Sequence, residues 1–249
     1  MCMKAVGIDG CRYGWVTACY NDGKVLIFKN INDVIKHYGD AYSFLIDIPI
    51  GLVSEKNNVR NCEKTARAVL PANRKSSVFS IPCREALTAA NYAEANGINR
   101  QIMDCGISKQ TWFILPKIKE LDDVLINDHN IRLRFKESHP EIAFQFLNGG
   151  SPLLYSKKTA DGATERLAIL MRYNEQSESL YTKALIDYKR LEVAKDDILD
   201  ALCLALTQNL LLAQPDSYKV NRFASNPLLD EHGIEMAIYY SKYKHSGLE

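Results

Sequence analysis

Several acidic residues of this chain lie within apolar segments, where a buried core would normally exclude charge. Asp9 ends one apolar run and Asp47 interrupts another. Asp197 and Asp200 begin a late apolar segment that extends to residue 213. Burying a carboxylate is costly unless it is paired or bound to a cation. The pattern therefore predicts that these acids, from distant parts of the chain, converge on one site.

Converging carboxylates are typical ligands of a hard divalent cation, so the expected cofactor is Mg²⁺ or Mn²⁺. Such an ion takes a few oxygens from the protein and the others from water and substrate phosphate. Two ions about 4 Å apart can activate a water molecule and stabilise the leaving oxygen. The acids thus predict a metal-dependent hydrolase of phosphodiester bonds, with nucleic acid or a small phosphodiester as substrate.

Some of the acids also have a structural interpretation that the sequence leaves open. Asp9 precedes a glycine, which is a common turn pattern, and Asp196 or Asp197 would stabilise the start of a helix. Capping does not account for Asp200, which lies too far into the same helix. Glu137, at the end of a later predicted strand, is a fifth candidate ligand or a strand residue that faces solvent.

The elements that position the acids follow from residue patterns. Three strands rich in β-branched and aromatic residues come first, and a helix and a buried strand halted by Pro49 follow. This order indicates an α/β protein that opens with an antiparallel three-strand unit. The predicted strands are residues 3–9, 14–20, 25–28, 43–48, 132–138 and 235–240; the predicted helices are residues 32–38, 61–70, 82–96, 108–126 with a break at Pro116, 141–147, 163–172, 181–192 and 197–213.

Composition narrows the class of protein. The 249 residues include 31 basic and 30 acidic side chains, so binding to nucleic acid would need a local basic patch. The seven cysteines are scattered and never spaced as Cys-x-x-Cys, which predicts neither a disulfide framework nor a zinc site. Because no apolar run approaches the ~20 residues of a membrane span and no targeting segment is evident, we expect a cytoplasmic protein without membrane contact.

Basic and hydroxyl side chains outside the acidic segments are candidate substrate contacts. Arg74, Ser76 and Ser77 precede an apolar anchor and would suit a phosphate, with a flexible polar loop as the alternative. Lys117 is a candidate counter-ion of the acids or phosphate contact. His139 is a candidate general acid for the leaving oxygen, or a structural cap of the next helix. The remaining candidates are Lys157, Lys158 and Arg166, for which a solvated loop is the alternative.

Two motifs give the chain a resemblance to the RNase H-like superfamily. Gly-Ile-Asp-Gly at residues 7–10 and Asp-Ile-Leu-Asp-Ala-Leu at residues 197–202 are similar to the metal-binding segments of RuvC-type Holliday-junction resolvases. The resemblance implies a mixed five-stranded sheet with antiparallel first strands, then parallel strands, and helices on both faces. It also implies a single domain over residues 1–249, with a mainly helical insertion at about 52–130.

More closely, the chain resembles the family known as domain of unknown function 429, a predicted nuclease of this fold. The resemblance implies that Asp9, Asp47, Asp197 and Asp200 are metal ligands. The chain departs from the family at Tyr13, where many members carry glycine. The segments that carry the resemblance are residues 7–12, 14–16, 46–52, 60–63, 66–67, 74, 76–79, 116–122, 137–141, 157–158, 162 and 165–166.

Two other functions stay open at the level of sequence. A phosphotransferase of the actin and sugar-kinase type shares this core, but it normally needs two such domains and glycine-rich phosphate loops. A catalytically inactive RNase H-like module would bind a nucleotide, nucleic acid or protein without chemistry. The four acids argue for the enzyme, whereas the near-zero net charge is compatible with the module.

Overall fold

The computed structural model describes residues 3–57, 59–213 and 217–243. The chain divides into two compact units, and the first contains the described residues up to Asp47, from Arg134 to Asn221 and from Tyr239 onward. The second unit contains Ile48–Leu133 and Arg222–Ile238. The strands are β1 Ala5–Gly10, β2 Trp15–Cys19, β3 Lys24–Phe28, β4 Ser43–Ile46, β5 Phe135–Glu137, β6 Tyr218–Leu229 and β7 Glu235–Tyr243; the helices are α1 Ile31–His37, α2 Cys62–Val69, α3 Tyr92–Met103, α4 Lys109–Asn127, α5 His129–Arg134, α6 Pro140–Leu147, α7 Ala160–Met171, α8 Gln176–Asp187 and α9 Lys195–Ala213.

A five-stranded mixed sheet forms the centre of the first unit. Its strand order is β3-β2-β1-β4-β5, in which β1, β2 and β3 are antiparallel and β4 and β5 run parallel to β1. The structure therefore confirms the predicted α/β class and the sheet expected of an RNase H-like core. Strands β6 and β7 form a separate two-stranded sheet.

Helices pack on both faces of the mixed sheet. Gly7 of β1 faces α9 so closely that an added Cβ atom would lie 2.1 Å from the carbonyl oxygen of Ala201. On the opposite face, the Thr17 hydroxyl of β2 lies 3.2 Å from the Tyr38 hydroxyl at the end of α1. Helix α9 is apolar nearly all round and is covered further by α6, α7 and α8. The close approach at Gly7 fixes the position of α9 on the sheet.

Local signals explain where the helices of the second unit differ from prediction. The predicted helix over 82–96 is instead a 3-10 turn at Arg84–Thr88 followed by α3. The cap of α3 is Asn91, whose side chain accepts a hydrogen bond from the Glu94 amide, a standard helix start. The predicted break at Pro116 is wrong, because α4 is continuous. Buried residues on both sides of the proline, Leu115 and Ile118 among them, hold the helix together.

Two further boundaries in the first unit differ from the sequence-based prediction. Strand β5 is shorter than the predicted 132–138, because residues up to Arg134 belong to α5. Helix α8 begins at Gln176 rather than at residue 181, after a turn in which Asn174 accepts a hydrogen bond from the Gln176 amide. Among the helices of the described residues, none combines the length and apolar character needed to cross a bilayer.

Candidate functional site

The first two predicted acids lie side by side at the ends of neighbouring parallel strands. A Cβ atom at Gly7 would point toward α9, and Asp9 is two residues later, so the Asp9 side chain points to the face of the sheet that α9 covers. Asp47 follows Leu45, the partner of Gly7, by the same interval. The Asp47 amide continues the ladder by donating to the carbonyl oxygen of Ile8 at 3.0 Å. Strand register therefore brings Asp9 and Asp47 to the same face.

Helix α9 brings the other two acids to this face. Because Ala201 lies against Gly7, the preceding residue, Asp200, is carried to the sheet and is almost fully buried. Asp197 lies one turn earlier, and its Oδ2 accepts a hydrogen bond from the Ala194 amide at 3.1 Å. Asp197 thus caps α9, as the structural interpretation predicted, and also belongs to the group. We call Asp9, Asp47, Asp197 and Asp200 the acidic cluster.

The carboxylates of the acidic cluster repel one another, and the repulsion changes their pKa values. Burial raises the pKa of Asp9 well above its ordinary value, and the carboxylates of Asp47 and Asp200 raise it further. Burial also raises the pKa of Asp197, to about 6, although the hydrogen bond from Ala194 opposes the change. Both shifts mean that the folded chain accommodates these charges at a cost to its stability.

Two basic side chains lie close enough to Asp47 to affect its pKa. Burial raises the pKa of Asp47, and His139 and Lys157 act against that rise through their charges. His139 precedes α6, yet its side chain makes no hydrogen bond that caps the helix. The structure therefore places the predicted general acid within electrostatic reach of the acidic cluster.

Lys157 provides the closest positive charge. Its Nζ atom lies 2.6 Å from Oδ2 of Asp200, and the Asp200 carboxylate raises the pKa of the lysine, with further contributions from Asp9 and Asp47. The second oxygen of Asp200, Oδ1, is buried and has no hydrogen-bond partner among the described residues. The neighbouring Lys158 pairs instead with Asp196 at 2.5 Å. Lys157 thus compensates the negative charge of several acids, and Oδ1 of Asp200 accepts no hydrogen bond from the described residues.

The loop that carries the two lysines is fixed by the start of α7. Glu165 accepts hydrogen bonds from the backbone amides of Leu154 and Tyr155, at 2.8 and 3.0 Å. An added Cβ atom at Gly162 would lie 1.9 Å from the carbonyl oxygen of Ser156, so only glycine permits this approach. The family-like glycine and glutamate therefore position Lys157 and Lys158.

Arg166 is a positioning residue in this structure. It is completely buried, and its Nη2 donates to Oε1 of Glu141 at 2.6 Å while Nη1 donates to the carbonyl oxygens of Tyr155 and Gly162. The predicted substrate contact is thus out of reach of a ligand in solution. Glu141, at the start of α6, adds a negative charge that raises the pKa of Asp47.

Glu137 is not part of the acidic cluster. In the parallel ladder it pairs with Ile46, which lies on the same face as Ile8 and opposite to Asp9 and Asp47. Strand alternation therefore directs the Glu137 side chain to the other face of the sheet. If Glu137 paired with Asp47 instead of Ile46, its side chain would share the face of Asp47; the strand register therefore decides where Glu137 points.

Four predicted substrate contacts belong to the second unit. Ser76 borders a cavity of about 640 Å³ whose lining includes the cationic side chains of Arg67, Lys75 and Arg100. The Ser77 hydroxyl is used locally, because it donates to the carbonyl oxygen of Arg74 at 2.8 Å. The remaining predicted contact, Lys117, is half-buried on α4.

The carboxylates of the acidic cluster have the chemistry, but not the arrangement, of ligands of a hard divalent cation. All four members offer carboxylate oxygens, and the buried Oδ1 of Asp200 has no other hydrogen-bond partner. Among the described residues, no three His, Cys, Asp or Glu side chains surround a common point as metal ligands do. Lys157 lies against Asp200 in this arrangement, so a cation would take over the charge compensation that the lysine provides.

Sequence reasoning missed several charged residues near the acidic cluster. Asp196 begins the same apolar segment but is not among the predicted ligands; it pairs with Lys158 and lies 3.8 Å from Lys157. Arg12 and Lys195 line a cavity that also includes Lys157. The available signal was weak: Arg12 directly follows the Gly-Ile-Asp-Gly-Cys strand end, and Lys195 directly precedes the two acids of α9.

The fold and the acidic cluster define an α/β protein with a mixed sheet and strand-end carboxylates. The family model described as a protein of unknown function (DUF429) matches residues 7–217, and the chain belongs to this family. Neither a search of curated proteins nor a search of solved structures returns a significant match.

Proposed function

We propose that the protein is a divalent-metal-dependent nuclease that hydrolyses phosphodiester bonds at the acidic cluster. The observation that carries this proposal is the under-compensated charge of the site. Several buried carboxylates share Lys157, the pKa values of Asp9, Asp47 and Asp197 are raised, and Oδ1 of Asp200 has no partner among the described residues. Such an arrangement lowers stability and is typical of a site that awaits a cation.

Each residue has a distinct role in the proposed reaction. Asp9, Asp47 and Asp200 would hold the cation, and Asp197 would support the site from the first turn of α9. Bound Mg²⁺ or Mn²⁺ would supply Lewis-acid activation of the attacking water and charge stabilisation of the leaving oxygen. The attacking water would release its proton to solvent through the carboxylates of the acidic cluster as its oxygen bonds to phosphorus, and His139 would give a proton to the leaving oxygen as the phosphorus–oxygen bond breaks. Lys157 moves from Asp200 to a phosphate oxygen of the substrate.

One observation favours a second candidate, the inactive binding module. The ion pair between Lys157 and Asp200 already compensates one buried acid, as in a structural salt bridge. In such a module Lys157 would stay on Asp200, and divalent ions would not compete with it. Metal binding therefore separates the two candidates.

The test is cleavage of end-labelled DNA and RNA oligonucleotides in the presence of Mg²⁺ or Mn²⁺, combined with calorimetric titration of the same ions. We expect metal-dependent cleavage by the natural chain and none by the Asp200→Asn variant. The matched control is Asp187→Asn, which removes an exposed carboxylate of α8 in the same unit. This control should cleave and bind metal like the natural chain.

Two results would reject the nuclease. One is cleavage by Asp200→Asn at the rate of the control. The other is that the natural chain shows neither a heat of metal binding nor cleavage, which would favour the inactive module.

A further inference from the structure

A second site lies beside the acidic cluster. Helices α7, α8 and α9 and the loop at 190–191 enclose a cavity of about 920 Å³, a volume typical of sites for ligands of nucleotide size. Every residue that lines this cavity belongs to the first unit. We call it the basic cavity because of its charge.

Cations dominate the polar wall of the basic cavity. Five basic side chains line it, against a single carboxylate, that of Asp196; the five are Arg12, Lys157, Lys158, Arg190 and Lys195. Of these, Arg12, Arg190 and Lys195 form no ion pair with any residue that the structure describes. A concave surface with several uncompensated cations concentrates anions and attracts phosphate groups.

Apolar side chains also line the basic cavity. We call three of them, Leu167, Leu185 and Leu191, the leucine wall; Leu191 is largely exposed although it is apolar. A simple inorganic anion would make no use of this wall. A ligand that combines phosphate with a flat, weakly polar ring would contact both walls at once.

One lining residue of the basic cavity, Lys157, also contacts the acidic cluster. Lys157 lines the cavity, and its Nζ is also 2.6 Å from Oδ2 of Asp200. Asp196 extends this link, because it lines the cavity and pairs with Lys158. A ligand in the cavity would therefore place a phosphate next to the carboxylates.

We propose that the basic cavity binds an unpaired nucleotide of a single-stranded nucleic acid, next to the phosphodiester that is cleaved at the acidic cluster. The cations contact the phosphates of this nucleotide, and its base lies against the leucine wall. Single strands are favoured because a base that is paired within a duplex cannot enter a cavity of this kind without leaving its stack. This inference rests on the proposed nuclease function and specifies its substrate class.

The test measures binding of a fluorescently labelled single-stranded 12-mer by anisotropy, in EDTA so that no cleavage occurs. The variant is the double substitution Arg190→Ala with Lys195→Ala, and both side chains are exposed. The matched control is Lys183→Ala, which removes an exposed cation of α8 outside the cavity. We expect the double variant to bind the 12-mer at least about tenfold more weakly. The slope of log affinity against log salt concentration should also decrease, by the amount that corresponds to the loss of about one to two phosphate contacts.

A second variant tests the leucine wall. Leu191→Ala should weaken binding of the 12-mer several-fold without changing the salt dependence, because it removes a contact to the base and no charge, and the exposed Leu191 side chain is not part of the core. The natural chain should bind the single strand more tightly than the matching duplex, and more tightly than adenosine 5′-monophosphate.

The outcomes distinguish the two proposals. Unchanged affinity of the double variant, or equal affinity for single strand, duplex and mononucleotide, would overturn the inference on the basic cavity even if the natural chain cleaves. Weaker binding by the double variant, combined with no metal-dependent cleavage by the natural chain, would overturn the nuclease and leave the cavity as a binding site.

Discussion

Two groups of charged residues, one in each unit, differ in how completely their charges are compensated. In the second unit, Arg84 donates to both oxygens of Asp122 at 2.9 Å and to Oδ2 of Asp230 at 2.5 Å. Asp230 also accepts hydrogen bonds from the backbone amides of Leu52, His232 and Ile234. We call Arg84, Asp122 and Asp230 the arginine network. The acidic cluster has more carboxylates and fewer donors.

We infer from this difference that the arginine network supports the fold, whereas the acidic cluster is the site of the proposed function. Asp230 is fully buried, and both of its oxygens accept hydrogen bonds, so its charge supports the fold. Asp200 is equally buried, yet one of its oxygens has no partner among the described residues. A buried group of this kind calls for an explanation, such as a bound ion, a bound water or a role in a reaction, and the proposed cation site supplies one. Burial of charge alone would not have separated the two groups.

The largest expected effect concerns activity. Asp9→Asn should lower metal-dependent cleavage by more than about 100-fold, because loss of groups that only orient metal ligands already costs about 10–100-fold. At pH 7 the same variant should be at least as stable as the natural chain, since the amide removes repulsion within the acidic cluster. Initial cleavage rates and urea unfolding measure the two quantities. A marked loss of stability would place Asp9 with the structural acids.

The corresponding change in the arginine network should act on stability instead. Asp230→Asn should lower the free energy of unfolding by about 3 kcal/mol, because it leaves a buried cation without one of its partners. The loss should be the same with and without Mn²⁺ in urea unfolding experiments. If the loss is below about 1 kcal/mol, the arginine network does not stabilise the fold as we infer.

The close approach of β1 to α9 can be tested independently of charge. Gly7→Ala should lower the free energy of unfolding by about 1–3 kcal/mol, because the new methyl group meets the backbone of α9. Gly23→Ala is the control for a glycine with open space around it, although its positive φ adds a smaller local cost. Thermal unfolding compares the two. Equal effects of the two changes would contradict the tight contact.

The smallest effect is a dependence of stability on pH. The pKa of Asp197 is raised to about 6 in the folded chain, so the folded state binds more protons than the unfolded state between about pH 4 and 6. The contribution of Asp197 to stability therefore decreases as the pH rises through this window. The Asp197→Asn variant should therefore lose less stability than the natural chain between pH 4.5 and pH 7. Urea unfolding at the two pH values measures the free energy of unfolding of each. An identical pH dependence in the variant would show that Asp197 titrates normally.

The parts of the fold that repeat a residue pattern could be predicted from the sequence. Alternating and apolar runs identified β1 to β4, and acids within apolar runs identified Asp9, Asp47 and Asp200. Long-range register is different, because it depends on which residues pair across strands. The sequence placed Glu137 at a strand end, but only its pairing with Ile46 shows that it faces away from the other acids.

Contacts between distant surface segments were also beyond sequence reasoning. The basic cavity combines Arg12, which follows β1, with Arg190 and Lys195, which flank the start of α9. No local pattern links these residues, because their proximity follows from how α9 lies on the sheet. In contrast, the start of α3 had a readable signal in Asn91 and Glu94, which the prediction of a helix from residue 82 overlooked.

The contact of Gly7 with Ala201 has a consequence for synthesis of the protein. The two halves of the acidic cluster are separated by most of the chain, and they meet only when α9 packs on β1. A ribosome must therefore release nearly the whole first unit before the carboxylates of α9 can reach those of the sheet. A nascent or truncated chain that ends before α9 therefore lacks the assembled acidic cluster.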